Sequence, residues 1–128
     1  MKTLIVEDDF TSRLLLQELL KAYGQSHIAV NGVEAVQAAE LALDAGEPYD
    51  LICLDIMLPL LDGLAALKQI RALEQAAGPA RPSKVMMTTA LNDLKSLRMA
   101  YESMCDAYLE KPIHKAKLLD GLRDLRLL

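Results

Sequence analysis

The stretch DLICLDIMLPLLDG, residues 50–63, decides the fold. Leu51, Ile52, Cys53 and Leu54 follow one another without a polar break. A strand apolar on both faces belongs in a parallel sheet covered on both sides. The run ends at Asp55, and Pro59 and Gly63 bracket a loop. Leu64, Leu67 and Ile70 then recur at helical spacing, predicting a helix that ends near Ala77. A buried strand feeding an amphipathic helix is one βα unit.

The flanking sequence repeats this unit. Toward the N-terminus, Thr3–Val6 reads as a strand, followed by a helix over 10–23 with Leu15, Leu16, Leu19 and Leu20 at helical spacing and Gly24 at its end. A weaker strand over 27–30 turns at Asn31-Gly32 into a helix over 33–45, on which Val33, Val36, Ala39 and Leu43 are expected to share the buried face. Toward the C-terminus, GPARPS at 78–83 is a loop, and a strand over 85–88 leads to a helix over 92–104 with Asn92 as its expected N-cap. A short strand over 107–109 and a helix over 115–127, with Leu118, Leu122 and Leu125 inward, complete five βα units. This alternation predicts an α/β, doubly wound (βα)5 domain with a five-stranded parallel sheet. One domain over 1–128 accounts for the pattern and leaves no room for an output domain.

Composition narrows the function classes. The chain has 128 residues, 52% of them hydrophobic, and a formal net charge of −4. That balance lacks the basic signature of nucleic-acid binding. The apolar run in MKTLIVEDD is too short for a signal peptide, and Asp55, Pro59 and Asp62 break the region 51–67, so it does not span a bilayer. Cys53 and Cys105 lack metal-ligand spacing and read as buried, reduced thiols. A cytoplasmic protein is expected.

The acidic residues are unevenly placed. In LIVEDD, residues 4–9, three apolar residues run straight into Glu7, Asp8 and Asp9. Asp9 is expected to cap the first helix. In open α/β sheets ligands bind beyond the carboxyl ends of the strands. Glu7 and Asp8 follow strand one, Asp55 strand three, Thr89 strand four and Lys111 strand five. In the order 2-1-3-4-5, taken over from flavodoxin-like domains of this class, these ends fall on one rim. Three carboxylates there repel one another, and a hard divalent cation, Mg2+, relieves the repulsion. Each residue has an ordinary reading too. An Asp after an apolar run is a turn residue, Thr is common in strands, and Lys before Pro is a solvated cation. Their joint placement at four strand ends is what those readings leave unexplained. His27 and His114 show no metal spacing and are expected at the surface.

Four segments, LIVEDD (4–9), DLICLDIMLPLLDG (50–63), MMTTA (86–90) and DAYLEKPI (106–113), resemble in kind and order the receiver domains of two-component response regulators. The resemblance covers essentially the whole chain. It implies that Asp55 is the phosphoacceptor. It implies that Asp8 ligates Mg2+ directly, Glu7 through water, and Asp55 and the Met57 backbone carbonyl as well. Thr89 and Lys111 would contact the phosphoryl group, Thr89 and Tyr108 would form the switch, and Lys111-Pro112 would be a cis peptide. Such a domain is a phosphoacceptor that assists its own phosphorylation and dephosphorylation, not an enzyme acting on other substrates. Its partners would be a histidine kinase or phosphotransfer protein and a downstream target on the α4-β5-α5 face, taken as 94–104, Tyr108 and 115–119, with the domain a monomer or a phosphorylation-dependent dimer. Bottom-up chemistry agrees: an aspartate is a competent phosphoryl nucleophile, and phosphoryl transfer is mostly positioning and charge stabilisation.

Departures from the family are visible. Met104-Cys105 stands where many members carry Gly-Ala, the loop 78–83 is longer than usual, and Met57 and Leu91 put apolar groups beside the site, where they would hinder an attacking water. A D-x-D phosphatase is disfavoured because Met57 stands at the second acid's position. A flavin site is disfavoured because acids occupy the first βα loop, where a phosphate would need donors. A phosphorylation-independent interaction module of the same fold is the alternative, although none of the site residues it would normally lack is missing.

Overall fold

The computed structural model describes residues 1–79, 81–90, 94–102 and 104–128. Five strands, β1 (Thr3–Val6), β2 (Ser26–Ala29), β3 (Leu51–Asp55), β4 (Lys84–Thr89) and β5 (Ala107–Glu110), form one parallel sheet in the order β2-β1-β3-β4-β5. Helices α1 (Phe10–Leu20), α2 (Gly32–Asp44), α3 (Gly63–Ala77), α4 (Leu94–Glu102) and α5 (Lys115–Asp124) alternate with them. The expected doubly wound fold and strand order are both present. Every residue of β3 is buried, as its unbroken apolar run requires.

Strand alternation sorts the core into two layers. Leu4, Val6, Ile52, Leu54, Val85 and Met87 face α2, α3 and α4, where they meet Ala35, Ala39, Leu67, Ile70 and Ala100. Ile5, Leu51, Cys53, Met86 and Leu109 face α1 and α5, where they meet Leu16, Leu20, Leu118 and Leu122. Side chains buried this completely contribute about 1.5–3 kcal/mol each before entropy is counted.

Some helix details depart from the sequence reading. The first helix ends at Leu20 and tightens into a 3-10 turn over Lys21–Tyr23. The buried face of α2 is Gly32, Ala35, Ala39 and Ala42, while Val33 is exposed and Leu43 half-buried. Periodicity of large apolar residues had favoured Val33 and Leu43. Close packing of α2 against α3 selects small side chains instead. Asn31 is more than a turn residue: its side chain accepts from the Glu34 N–H at 2.8 Å and caps α2. Asp9 caps α1 through the Ser12 N–H at 2.9 Å, and Asp62 caps α3 through the Ala65 N–H at 2.9 Å. His27 is not simply a surface residue. It is half-buried, with Nδ1 2.7 Å from the buried Tyr49 hydroxyl. The expected cap Asn92 and the apolar neighbour Leu91 lie outside the described residues. No described helix is long and apolar enough to cross a membrane.

Candidate functional site

The tips of β1 and β3 bring the acids together. Beyond Val6 the Glu7 N–H donates to Ala29 O at 3.1 Å, which extends the strand pairing by one residue and buries Glu7 completely. Its Oε1 accepts from the Asp9 N–H at 3.1 Å. The chain then turns into α1, leaving Asp8 exposed at the mouth. Asp55 closes β3 and is 4% exposed. One carboxylate oxygen of each of Glu7, Asp8 and Asp55 lies within 4.8 Å of the others.

Two glycines set the loop that follows Asp55. A Cβ on Gly63 would stand 2.0 Å from the Asp55 carbonyl oxygen, and one on Gly32 1.8 Å from the Leu61 carbonyl oxygen. Both glycines are therefore demanded by close backbone approach. The loop is fixed further by the Gly63 N–H donating to Ile56 O at 2.9 Å and the Ile56 N–H donating to Thr88 O at 3.1 Å. It presents the Met57 N–H to Asp55 Oδ1 at 3.1 Å and leaves the Met57 and Leu60 side chains exposed.

Lys111 arrives from the other side. Its N–H donates to Thr89 O at 2.8 Å, the Lys111-Pro112 peptide is cis, and Ile113 is buried just beyond. The Lys111 ammonium bridges two carboxylates, 2.8 Å from Glu7 Oε2 and 2.9 Å from Asp55 Oδ2. The contact with Glu7 Oε2 is a charge pairing without a well-directed hydrogen bond, whereas that with Asp55 is directed. Thr89 is buried on the neighbouring strand tip, its hydroxyl donating to Ala90 O at 3.2 Å. Tyr108 stands half-exposed on the edge strand β5.

Electrostatics follow from this arrangement. Burial pushes the Glu7 carboxyl above its ordinary value and outweighs the downward pull of Lys111. Burial acts against the Lys111 charge, but its contacts with the Glu7 and Asp55 carboxylates more than offset it, and its pKa rises. The ammonium is thus held charged, and Glu7, cut off from water, is a weakened acid. Exposed Asp9 is lowered by its hydrogen bonds from Ser12. Cavities of about 850 and 940 Å3 open around Tyr49 and Arg71, near the starts of β3, β4 and β5, and neither includes a carboxylate of the cluster.

A second network escaped the sequence reading. Arg71 on α3 donates to Glu74 Oε1 at 2.6 Å, Ser83 O at 2.8 Å, Met104 O at 3.0 Å and Asp106 Oδ2 at 2.9 Å. Only the Arg71–Glu74 spacing of three residues on one helix signals it locally. Met104 has φ 71°, and the Cys105 N–H donates to Ala100 O at 3.1 Å. The end of α4 thus has a left-handed cap built without glycine.

Strand tips that converge two acids, an aspartate and a lysine on one rim of a parallel sheet define a phosphoryl-signalling class of domain. The chain belongs to the response regulator receiver domain family of two-component phosphorelay signalling, whose model matches residues 3–123. It is 37% identical over 125 residues to the sensory/regulatory protein RpfC of Xanthomonas campestris, a match covering 98% of this chain and 16% of that protein. The chain therefore spans about a sixth of the length of this curated relative. Among solved structures it is similar to the receiver domain of the sensor histidine kinase PA1611 from Pseudomonas aeruginosa, which has a magnesium ion coordinated in its active-site cleft. That match has a TM-score of 0.79 and 28% identity, covering 95% of this chain and 94% of the other. It is also similar to the receiver domain of Ssk1 from Saccharomyces cerevisiae, co-crystallised with the histidine phosphotransfer protein Ypd1, with a TM-score of 0.85, 30% identity and coverage of 100% and 92%.

Proposed function

We propose that this domain accepts a phosphoryl group on Asp55 from the phosphohistidine of a cytoplasmic histidine kinase or phosphotransfer protein and signals by protein contact. The observation that carries the reading is the Lys111 ammonium held at 2.9 Å from Asp55 Oδ2 and 2.8 Å from Glu7 Oε2. In the transfer an Asp55 carboxylate oxygen forms the new O–P bond, the N–P bond of the donor breaks, and its electron pair stays on the imidazole. Asp55 acts as the nucleophile. Lys111 follows the phosphoryl oxygens as a compact positive charge. The Thr89 hydroxyl turns to donate to one of them.

The donor set fits a hard divalent cation, because the clustered oxygens of Glu7, Asp8 and Asp55 carry more negative charge than one ammonium balances. Asp8 and Asp55 would hold Mg2+ directly, Glu7 through water, and the Met57 carbonyl would complete the protein's share. When bound, the ion neutralises charge on the phosphoryl oxygens and aligns the transfer. Exposed Phe10, Met57 and Leu60, on the segments that leave the tips of β1 and β3, suit a protein donor.

Phosphorylation adds charge and acceptor oxygens at a strand tip. Drawing Thr89 toward them opens space into which Tyr108 rotates, and the face of α4, β5 and α5 changes for its downstream target. This is a shift between two populated states. Incubation with Mg2+ and acetyl phosphate tests the proposal: intact mass gains one phosphoryl group in the wild type and none in Asp55→Asn. An unmodified wild type would leave the phosphorylation-independent interaction module as the reading.

A further inference from the structure

Glu7, Asp55 and Thr88 form a row across three adjacent strands. Asp55 is the register partner of Thr88, and Val6 pairs with Leu54, so Glu7 continues beside Asp55. Register partners in a parallel sheet point to the same face. That face also holds Ile5, Cys53 and Met86, one step below the row, and Leu109, the register partner of Thr88, which closes the row on the far side. Thr88 is 1% exposed, and its hydroxyl oxygen has no hydrogen-bond partner among the described residues. In the same row, Glu7 Oε2 is the other atom without a directed hydrogen bond. The Lys111 ammonium lies over this row, pairing with Glu7 and Asp55.

A desolvated hydroxyl without a partner is unfavourable, and valine would fill the same volume without that cost. Thr88 is thus a polar group that the resting state does not use. An ammonium has three N–H donors. In the resting state two carboxylates engage it. Transfer of a phosphoryl group to Asp55 ties up one of its oxygens and redirects the ammonium.

We propose that Thr88 is a positioning residue for Lys111: its hydroxyl accepts an ammonium N–H once Asp55 carries the phosphoryl group, fixing the cation over the row. The proposal rests on the phosphoacceptor reading above. It concerns the second threonine of this stretch from the edge of the site, not Thr89, whose own hydroxyl faces Ala90 O.

The paired variants Thr88→Val and Thr88→Ser test it. Thr88→Val is expected to melt no lower than the wild type. It is expected to take phosphoryl from acetyl phosphate at least about tenfold more slowly, the low end of the worth of one hydrogen bond to a charged group. Thr88→Ser restores the rate to within about twofold, because it keeps the hydroxyl. Independently of turnover, the Lys111 ammonium protons in the Mg2+–beryllofluoride complex exchange faster in Thr88→Val than in the wild type or Thr88→Ser. Wild-type rates and exchange in Thr88→Val would overturn the proposal, as would a Thr88→Ser as slow as valine. Failure of the underlying reading shows up elsewhere, as a wild type that gains no phosphoryl mass, and it removes the proposal with it.

Discussion

Lys111 Nζ and Asp55 Oδ2 stand 2.9 Å apart across 56 residues of sequence. The pair joins the tip of β3 to the segment after β5 and holds together two buried acids that would otherwise repel. Removing the ammonium leaves Glu7 and Asp55 facing each other without a counterion. Lys111→Ala is expected to lose about 2–3 kcal/mol of stability at pH 7, discounted from the cost of breaking a fully buried pair because the lysine is partly exposed. Adding Asp55→Asn in that background should recover most of the loss. Urea unfolding of the four members of the cycle checks this, and additive losses would refute it.

The Gly63 contact makes a second prediction. Gly63→Ala forces a methyl group onto the Asp55 carbonyl oxygen, where the free distance is 2.0 Å. The expected outcome is a destabilisation of more than about 2 kcal/mol together with a lower phosphorylation rate. Thermal unfolding and acetyl phosphate kinetics measure both.

Met104 should be improvable. Its φ of 71° is a left-handed conformation that costs a non-glycine residue about 1 kcal/mol. Its side chain is exposed, so little packing is lost on removal. Met104→Gly is expected to raise stability by up to about 1 kcal/mol, part of it returned as unfolded-state entropy. A stability below wild type in urea would contradict the cap geometry.

Arg71 should resist conservative replacement. Four acceptors on α3, the 78–83 loop, the end of α4 and the start of β5 meet one guanidinium. Glu74 beneath it is 5% exposed and also accepts the Ser83 N–H at 2.7 Å. Arg71→Lys keeps the charge but not the fork, and is expected to lose about 2–3 kcal/mol, close to the loss in Arg71→Ala. Chemical denaturation of both variants decides the matter.

The thiols give a pH dependence. Burial pushes Cys53 from 9.0 up to about 12 and Cys105 up to about 11. Above pH 9 the unfolded chain releases these protons and the folded chain keeps them, so stability falls with rising pH. At pH 10 the loss is about 1–2 kcal/mol per thiol, and below pH 8 it vanishes. Lys111, also raised, adds to the fall only above its ordinary 10.5. Unfolding at pH 8 and pH 10 should show the slope in the wild type and a smaller one in Cys53→Ala/Cys105→Ala.

Much of this architecture was legible because each signal is local. The span Thr3–Val6 is bounded by charge and matches β1 residue for residue. Asp55 is legible as a strand tip because an unbroken apolar run points at it. The α2 face was misread because periodicity weighs large side chains, while close helix packing selects Ala35, Ala39 and Ala42. Arg71 was invisible because its partners Ser83, Met104 and Asp106 lie 12, 33 and 35 residues away. Thr88 was invisible for another reason: a threonine in a strand looks ordinary until its hydroxyl is found unsatisfied.

The guanidinium of Arg71 grips the carbonyl of Met104, just past α4, and the carboxylate of Asp106, just before β5. The helix is thereby moored at the end remote from the carboxylates. Any displacement of α4 set off by chemistry at Asp55 becomes a swing about that mooring rather than a slide of the whole rod. Under the proposed switch the excursion would grow toward Leu94, on the side of the chemistry, and a partner on this face would meet the largest change there.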